Sequence, residues 1–156
     1  MSEFLFDQLE FARTGTLNAL EGVSESKAKK VPAGLNNNIL WNLGHLYMSL
    51  ERFAFHYASE PLQIPEGFAK FFGGGTKPAD WVGEPPSLVE VVDLLKAQPN
   101  RVRDKLQGRL NQPVAEPVAI RSLSFKTLAE TLSFSLLHEG MHNQNIKVIR
   151  RLVEQE

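Results

Sequence analysis

The sequence predicts an all-α protein, a four-helix bundle with a long loop between its second and third long helices. Four stretches repeat apolar residues at three- and four-residue intervals over several turns, no two stretches make a convincing strand pair, and most Gly and Pro fall between the periodic stretches. At 156 residues the chain fits one domain spanning 1–156, with roughly two-thirds of its surface buried on folding.

The first helix is read from Glu3 to Leu20, where Leu5, Leu9, Ala12, Thr16 and Leu20 share a stripe and Glu21-Gly22 supplies a stop. A polar connector from Ser24 to Asn37 contains Pro32 and Gly34, with one short helical turn at Ser24–Ala28. Asn38 then caps a second helix whose apolar face, Ile39, Leu43, Leu46, Leu50, Phe53 and Tyr57, runs about five turns before Ser59-Glu60-Pro61. Residues 61–86 hold Pro61, Pro65, Gly67, Gly73-Gly74-Gly75, Pro78, Gly83 and Pro85-Pro86, which deny any long regular element. Because the same stretch carries Phe68, Phe71, Phe72 and Trp81, it is expected to pack as a lid or an interface.

Ser87 caps a third helix using Leu88, Val91, Val92, Leu95, Val102, Leu106 and Leu110, with a kink or break expected near Ala97 ahead of Pro99. Asn111 to Lys126, with Pro113 and Pro117, reads as a connector able to form a short extended arm. Thr127 and Glu130 have capping-box spacing and open a fourth helix that continues almost to the C-terminus.

Seventeen Lys plus Arg against eighteen Asp plus Glu give a formal charge of -1, which argues against a nucleic-acid surface. No cysteine is present, so disulfides, thiolate metal sites and a thiol nucleophile are excluded, and a metal would fall to His, Asp or Glu. Met1-Ser2-Glu3-Phe4 does not start as a signal peptide and no stretch approaches a membrane span, so a soluble cytoplasmic protein without a membrane partner is expected.

The chemistry concentrates in His138-Glu139-Gly140-Met141-His142. Two histidines four apart on a helix lie one turn above each other and can share a metal about 2.0–2.1 Å from each nitrogen. The spelling matches the zinc-peptidase pattern His-Glu-x-x-His, which needs a third ligand downstream. The residue six beyond His142 is Val148, and the fourteen residues left are too few for another packed helix, so the peptidase reading is disfavoured. Glu139 lies about 100° around the helix from His138 and reads as a carboxylate supporting a ligand or as surface.

The better third ligand lies upstream, at His45, which interrupts an otherwise apolar helix and is either a hydrogen-bonded core histidine or a metal ligand. Gly44 beside it permits a close approach by another element. His56, about 16 Å further along the axis, cannot share that metal and reads as structural or surface. Asn42, Glu139 and Asn145 are candidates to orient a ligand imidazole or a bound water, with ordinary helix surface as the alternative. Trp41 and Met48 read as core wall, and Arg52 as solvated.

Asn37-Asn-Ile-Leu-Trp-Asn-Leu-Gly-His45, Gly75-Thr-Lys-Pro78 and His138-Glu-Gly-Met-His142 together resemble the DinB-like, or YfiT-like, metalloprotein superfamily over nearly the whole chain. The resemblance implies an up-down-down-up four-helix bundle, often a homodimer. It also implies a metal held by one His of the second helix and a His-x-x-x-His pair of the fourth, here His45, His138 and His142. Many members follow the last ligand with x-Gly-Gln, where this chain has Asn143-Gln144-Asn145. The ion expected is divalent, zinc or nickel first and iron or manganese next. Three neutral imidazoles leave coordination positions open for chemistry. The resemblance implies S-transfer with a low-molecular-weight thiol and a small-molecule substrate; a metal-dependent hydrolase and a non-catalytic stress-response module are the alternatives.

Overall fold

The computed structural model describes residues 3–155; Met1, Ser2 and Glu156, where the expected domain ends and the leader reading begins, lie outside the described residues. Helix α1 covers Glu3–Asn18 and buries Phe6, Leu9, Arg13 and Thr16. The buried stripe is therefore rotated from the expected one and includes a charged residue. The short α2, Glu25–Lys29, is capped by the Ser24 hydroxyl, as the connector's composition suggested.

Helix α3, Ile39–Leu50, starts where Asn38 accepts a hydrogen bond from Trp41 N–H. The second long stretch then changes pitch, through a π turn at Glu51–Phe55 and a 3-10 turn at His56–Ala58, and stops at Ser59 in the left-handed region. Within the π turn Glu51 is fully buried. The loop that follows contains the short α4, Phe68–Phe72, and a 3-10 turn at Pro78–Asp80. Phe68, Phe71 and Phe72 enter the core beside α3, with Trp81 half-buried against them. The aromatic loop thus packs on the second long helix.

Helix α5, Leu88–Leu106, opens with the reciprocal Ser87–Glu90 capping box and runs through Pro99 as one helix. The break expected near Ala97 does not occur. Proline removes the N–H that would bond the Leu95 carbonyl, and the Arg13 guanidinium donates to that carbonyl instead, at 2.8 Å. The vacancy in the ladder is filled from a neighbouring helix.

The connector after α5 departs most from expectation. Strands β1, Pro113–Ile120, and β2, Leu123–Thr127, form an antiparallel hairpin, so the fold is mostly helical rather than all-α. Pro113 and Pro117 read as breakers, and Arg121-Ser122 lacks the usual Gly or Asn turn signal although Arg121 adopts φ 54°. The register is irregular between Pro113 and Val118, where the prolines fall, and Val118 and Phe125 pair and turn inward. Helix α6, Leu128–Gln155, then begins with mutual hydrogen bonds between Thr127 and Glu130.

The four long helices pack in a cycle: α1 lies against α5 and α6, and α3 lies against the same two. One part of the core gathers α3, α4 and the end of α6; the other gathers the end of the second stretch, the hairpin and the start of α6. Among the described residues no helix is long and apolar enough to cross a membrane. The seam between α3 and α6 holds His45, His138 and His142.

Candidate metal centre

The site begins with the cap of α3. Asn38, fully buried, uses its side-chain amide to bond the Lys29 carbonyl and its carbonyl to receive Asn42 Nδ2 at 2.7 Å. That bond fixes the Asn42 carboxamide with Oδ1 pointing across the seam, where it lies 2.7 Å from His142 Nδ1. An amide oxygen only accepts, so His142 carries its proton on Nδ1 and keeps the Nε2 lone pair free.

His45 is fixed in the same tautomer by a different element. Its Nδ1 donates to the Phe72 carbonyl at 2.9 Å, at the end of α4, and the Ser49 hydroxyl lies 3.4 Å from its Nε2. The close approach of α4 requires Gly44, since a Cβ there would stand 2.3 Å from the Phe72 ring. Trp41 stacks on the His45 ring, centroids 4.7 Å apart and planes within 8°, while its indole N–H bonds the Thr76 hydroxyl. The loop after α3 therefore positions His45.

His45, His138 and His142 converge, each offering a ring nitrogen within 4.8 Å of the others. All three rings are half-buried, and burial is the chief reason they resist protonation. His45 titrates below its ordinary value, with the Phe72 hydrogen bond opposing the effect of burial. His138 falls to about 4, through burial and then repulsion from His45, against the pull of Glu139. His142 falls to about 3, through burial and repulsion from His138 and His45. At neutral pH the cluster therefore presents uncharged imidazoles, the state a metal needs.

Glu139 faces away from this cluster. Nearly fully buried, it takes a bidentate grip from Arg13, Nε to Oε1 at 2.6 Å and Nη2 to Oε2 at 2.9 Å, and accepts the Thr16 hydroxyl at 3.0 Å. Arg13 continues to Gln98, which bonds the Tyr47 carbonyl and Glu51, and Glu51 pairs with Arg101. A buried polar chain thus joins all four long helices beside the histidines. Its anchor, Arg13, escaped the sequence reading; the available signal was an arginine between Leu9 and Thr16 on the first helix's inward stripe.

Asn42 orients a ring as expected, and Asn145 lines a cavity that Asn42 also lines. Met48 packs against the core, and Arg52 is exposed. His56 is exposed and pairs with Glu116 on the hairpin, 2.7 Å away, outside the cluster.

The family model described as the DinB superfamily matches residues 8–146. Among solved structures, a conserved protein from Enterococcus faecalis is similar in fold, with a TM-score of 0.71 at 16% identity, covering 100% of this chain and 98% of that one. No curated protein matches the chain.

Proposed function

The chain belongs to the DinB superfamily, and from that premise we propose that it is a metal-dependent S-transferase using a low-molecular-weight thiol, with His45, His138 and His142 as the ligands of a zinc or nickel ion. The observation that carries this reading is the convergence of three neutral imidazoles with Glu139 locked onto Arg13. The donor set fits a divalent ion of that kind, since each ring is uncharged and two have their Nδ1 committed elsewhere. Iron and manganese are the next candidates.

Such an ion, held by His45, His138 and His142, would supply Lewis acidity that favours the thiolate form of a thiol. The chain's own groups hold and shield. Phe72 and Asn42 keep the rings of His45 and His142 in register, and the Trp41 face covers one side of His45. Both oxygens of Glu139 are engaged by Arg13 and Thr16, so this carboxylate does not serve as the general base of a peptidase-like hydrolysis.

The accompanying proposals are a single 1–156 domain, up-down-down-up topology, cytoplasmic residence and a homodimer. The topology is supported by contacts: Arg13 meets Glu139 and Ala19 meets Arg150, while Asn42 meets His142 and Thr131 meets Phe53. Light scattering tests the dimer, towards which Leu137 and Met141, both 59% exposed, are candidate surface. The function is tested by conjugating a small thiol to an electrophile. The rate should vanish on chelation, return with zinc or nickel, and be lost in His142→Ala together with the bound metal. Metal binding without any such rate would instead support the non-catalytic module.

A further inference from the structure

The α3–α6 seam does not end at the histidines. One turn further, about 4.5 Å along each axis, Asn42 and Asn145 succeed His45 and His142, and there the seam opens into a cavity of about 240 Å³. Asn36, Asn37, Asn42 and Asn145 line it with Leu35 and Ile149, and no charged side chain does. In that it differs from the cavity of about 810 Å³ between α1 and α5, whose wall includes Glu21, Asp93 and Lys96.

Four carboxamides around a small space are a specific chemistry. The carboxamide of Asn42 is committed to Asn38 and His142, which leaves Asn36, Asn37 and Asn145 to offer donors and acceptors without net charge, the complement of a peptide-like amide, while Leu35 and Ile149 suit a methylene stem. Asn37, half-buried at the cavity wall, has its Oδ1 buried without a hydrogen-bond partner. Asn42 belongs to both places, since the carboxamide that lines the cavity also accepts from His142 Nδ1. The volume holds about eight water-sized groups, enough for one amide unit and its neighbours.

We propose that this asparagine-lined cavity binds an uncharged, amide-bearing part of the substrate one helical turn from the reacting centre. The assignment of that part to the thiol rests on the S-transfer reading above; the cavity's preference for amides does not. The unreactive end of the thiol is held by Asn37 and Asn145, leaving its sulfur to reach the histidine cluster. Small thiols without an amide lack that anchor.

Two measurements separate the cavity from the reaction. In the first, zinc-loaded protein is titrated with N-acetylglycinamide, which has no thiol, and side-chain amide NMR signals are followed. Shifts at Asn37 and Asn145 are expected, with binding weakened about five- to tenfold in Asn145→Leu and in Asn37→Leu. Absence of shifts, or variants that bind the amide as tightly as the unaltered protein, overturns the proposal whether or not the protein catalyses anything. In the second, N-acetylcysteinamide and 2-mercaptoethanol compete as thiols. The amide thiol should have about tenfold the kcat/KM, and Asn145→Leu should bring the ratio of the two thiols' kcat/KM close to one. Equal use of the two thiols by the unaltered protein overturns the assignment to the thiol. Amide binding with no thiol turnover at all refutes S-transfer and leaves the cavity's specificity standing.

Discussion

Asn42 shows how one side-chain amide can set the state of a neighbouring imidazole. Its oxygen selects the His142 tautomer, and its own orientation is set by the Asn38 carbonyl. Asn42→Leu should therefore lower zinc affinity by about 10- to 100-fold in a competition titration while the fold persists. The histidines also make a pH prediction for the metal-free protein. His138 and His142 titrate in the fold at about 4 and about 3, against 6.5 for an ordinary histidine. Below 6.5 the unfolded chain binds protons that the folded one refuses, so stability is full above that value and falls as pH drops towards 4. Urea unfolding at pH 7.5 and pH 5.0 should show the loss. The double variant His138→Asn/His142→Asn should show less of it, because the carboxylates with lowered values, Glu60 and Glu90, act mainly below their ordinary 4.5.

At the scale of elements, α4 is coupled to the site through Gly44. Gly44→Ala places a methyl 2.3 Å from the Phe72 ring, so α4 must move, and the Phe72 carbonyl that holds His45 moves with it. The expected result is destabilisation of about 1–3 kcal/mol and weaker metal binding, with the fluorescence of Trp41 and Trp81 changed because both indoles bond this loop. Unaltered metal affinity at lowered melting temperature would show that α4 is merely packed there. The long helices and their caps were legible because periodicity and capping act within a few residues, as at Asn38, Ser87 and Thr127. The hairpin was not, since its pairing of Val118 with Phe125 overrides prolines that locally argue against a strand. The continuity of α5 was hidden for a related reason, its missing bond being supplied by Arg13 from 82 residues away in the chain.

Across the whole molecule, the Arg13–Glu139 pair ties α6 to α1 beside the histidines. The three imidazoles could be anticipated from sequence, His138 and His142 by their spacing and His45 as a polar interruption of an apolar helix. The Arg13–Glu139 pair could not, because its partners lie 126 residues apart and nothing local to either one points to the other. Both side chains are almost wholly buried, 2% and 3% exposed, and the carboxylate sits next to His138 in the chain. Removing one partner strands the other in a medium that cannot solvate it. Arg13→Met should therefore cost about 3–5 kcal/mol, and Glu139→Met a similar amount. Arg13→Met/Glu139→Met leaves no uncompensated charge and should recover much of that loss in urea unfolding. Metal affinity distinguishes a strut from simple packing: if the ion pair sets the rotation of α6, the double variant regains stability but still binds zinc more weakly, because His138 and His142 no longer face His45 in one fixed orientation. Full recovery of both stability and affinity would mean that packing of the α3–α6 seam suffices to aim the histidines.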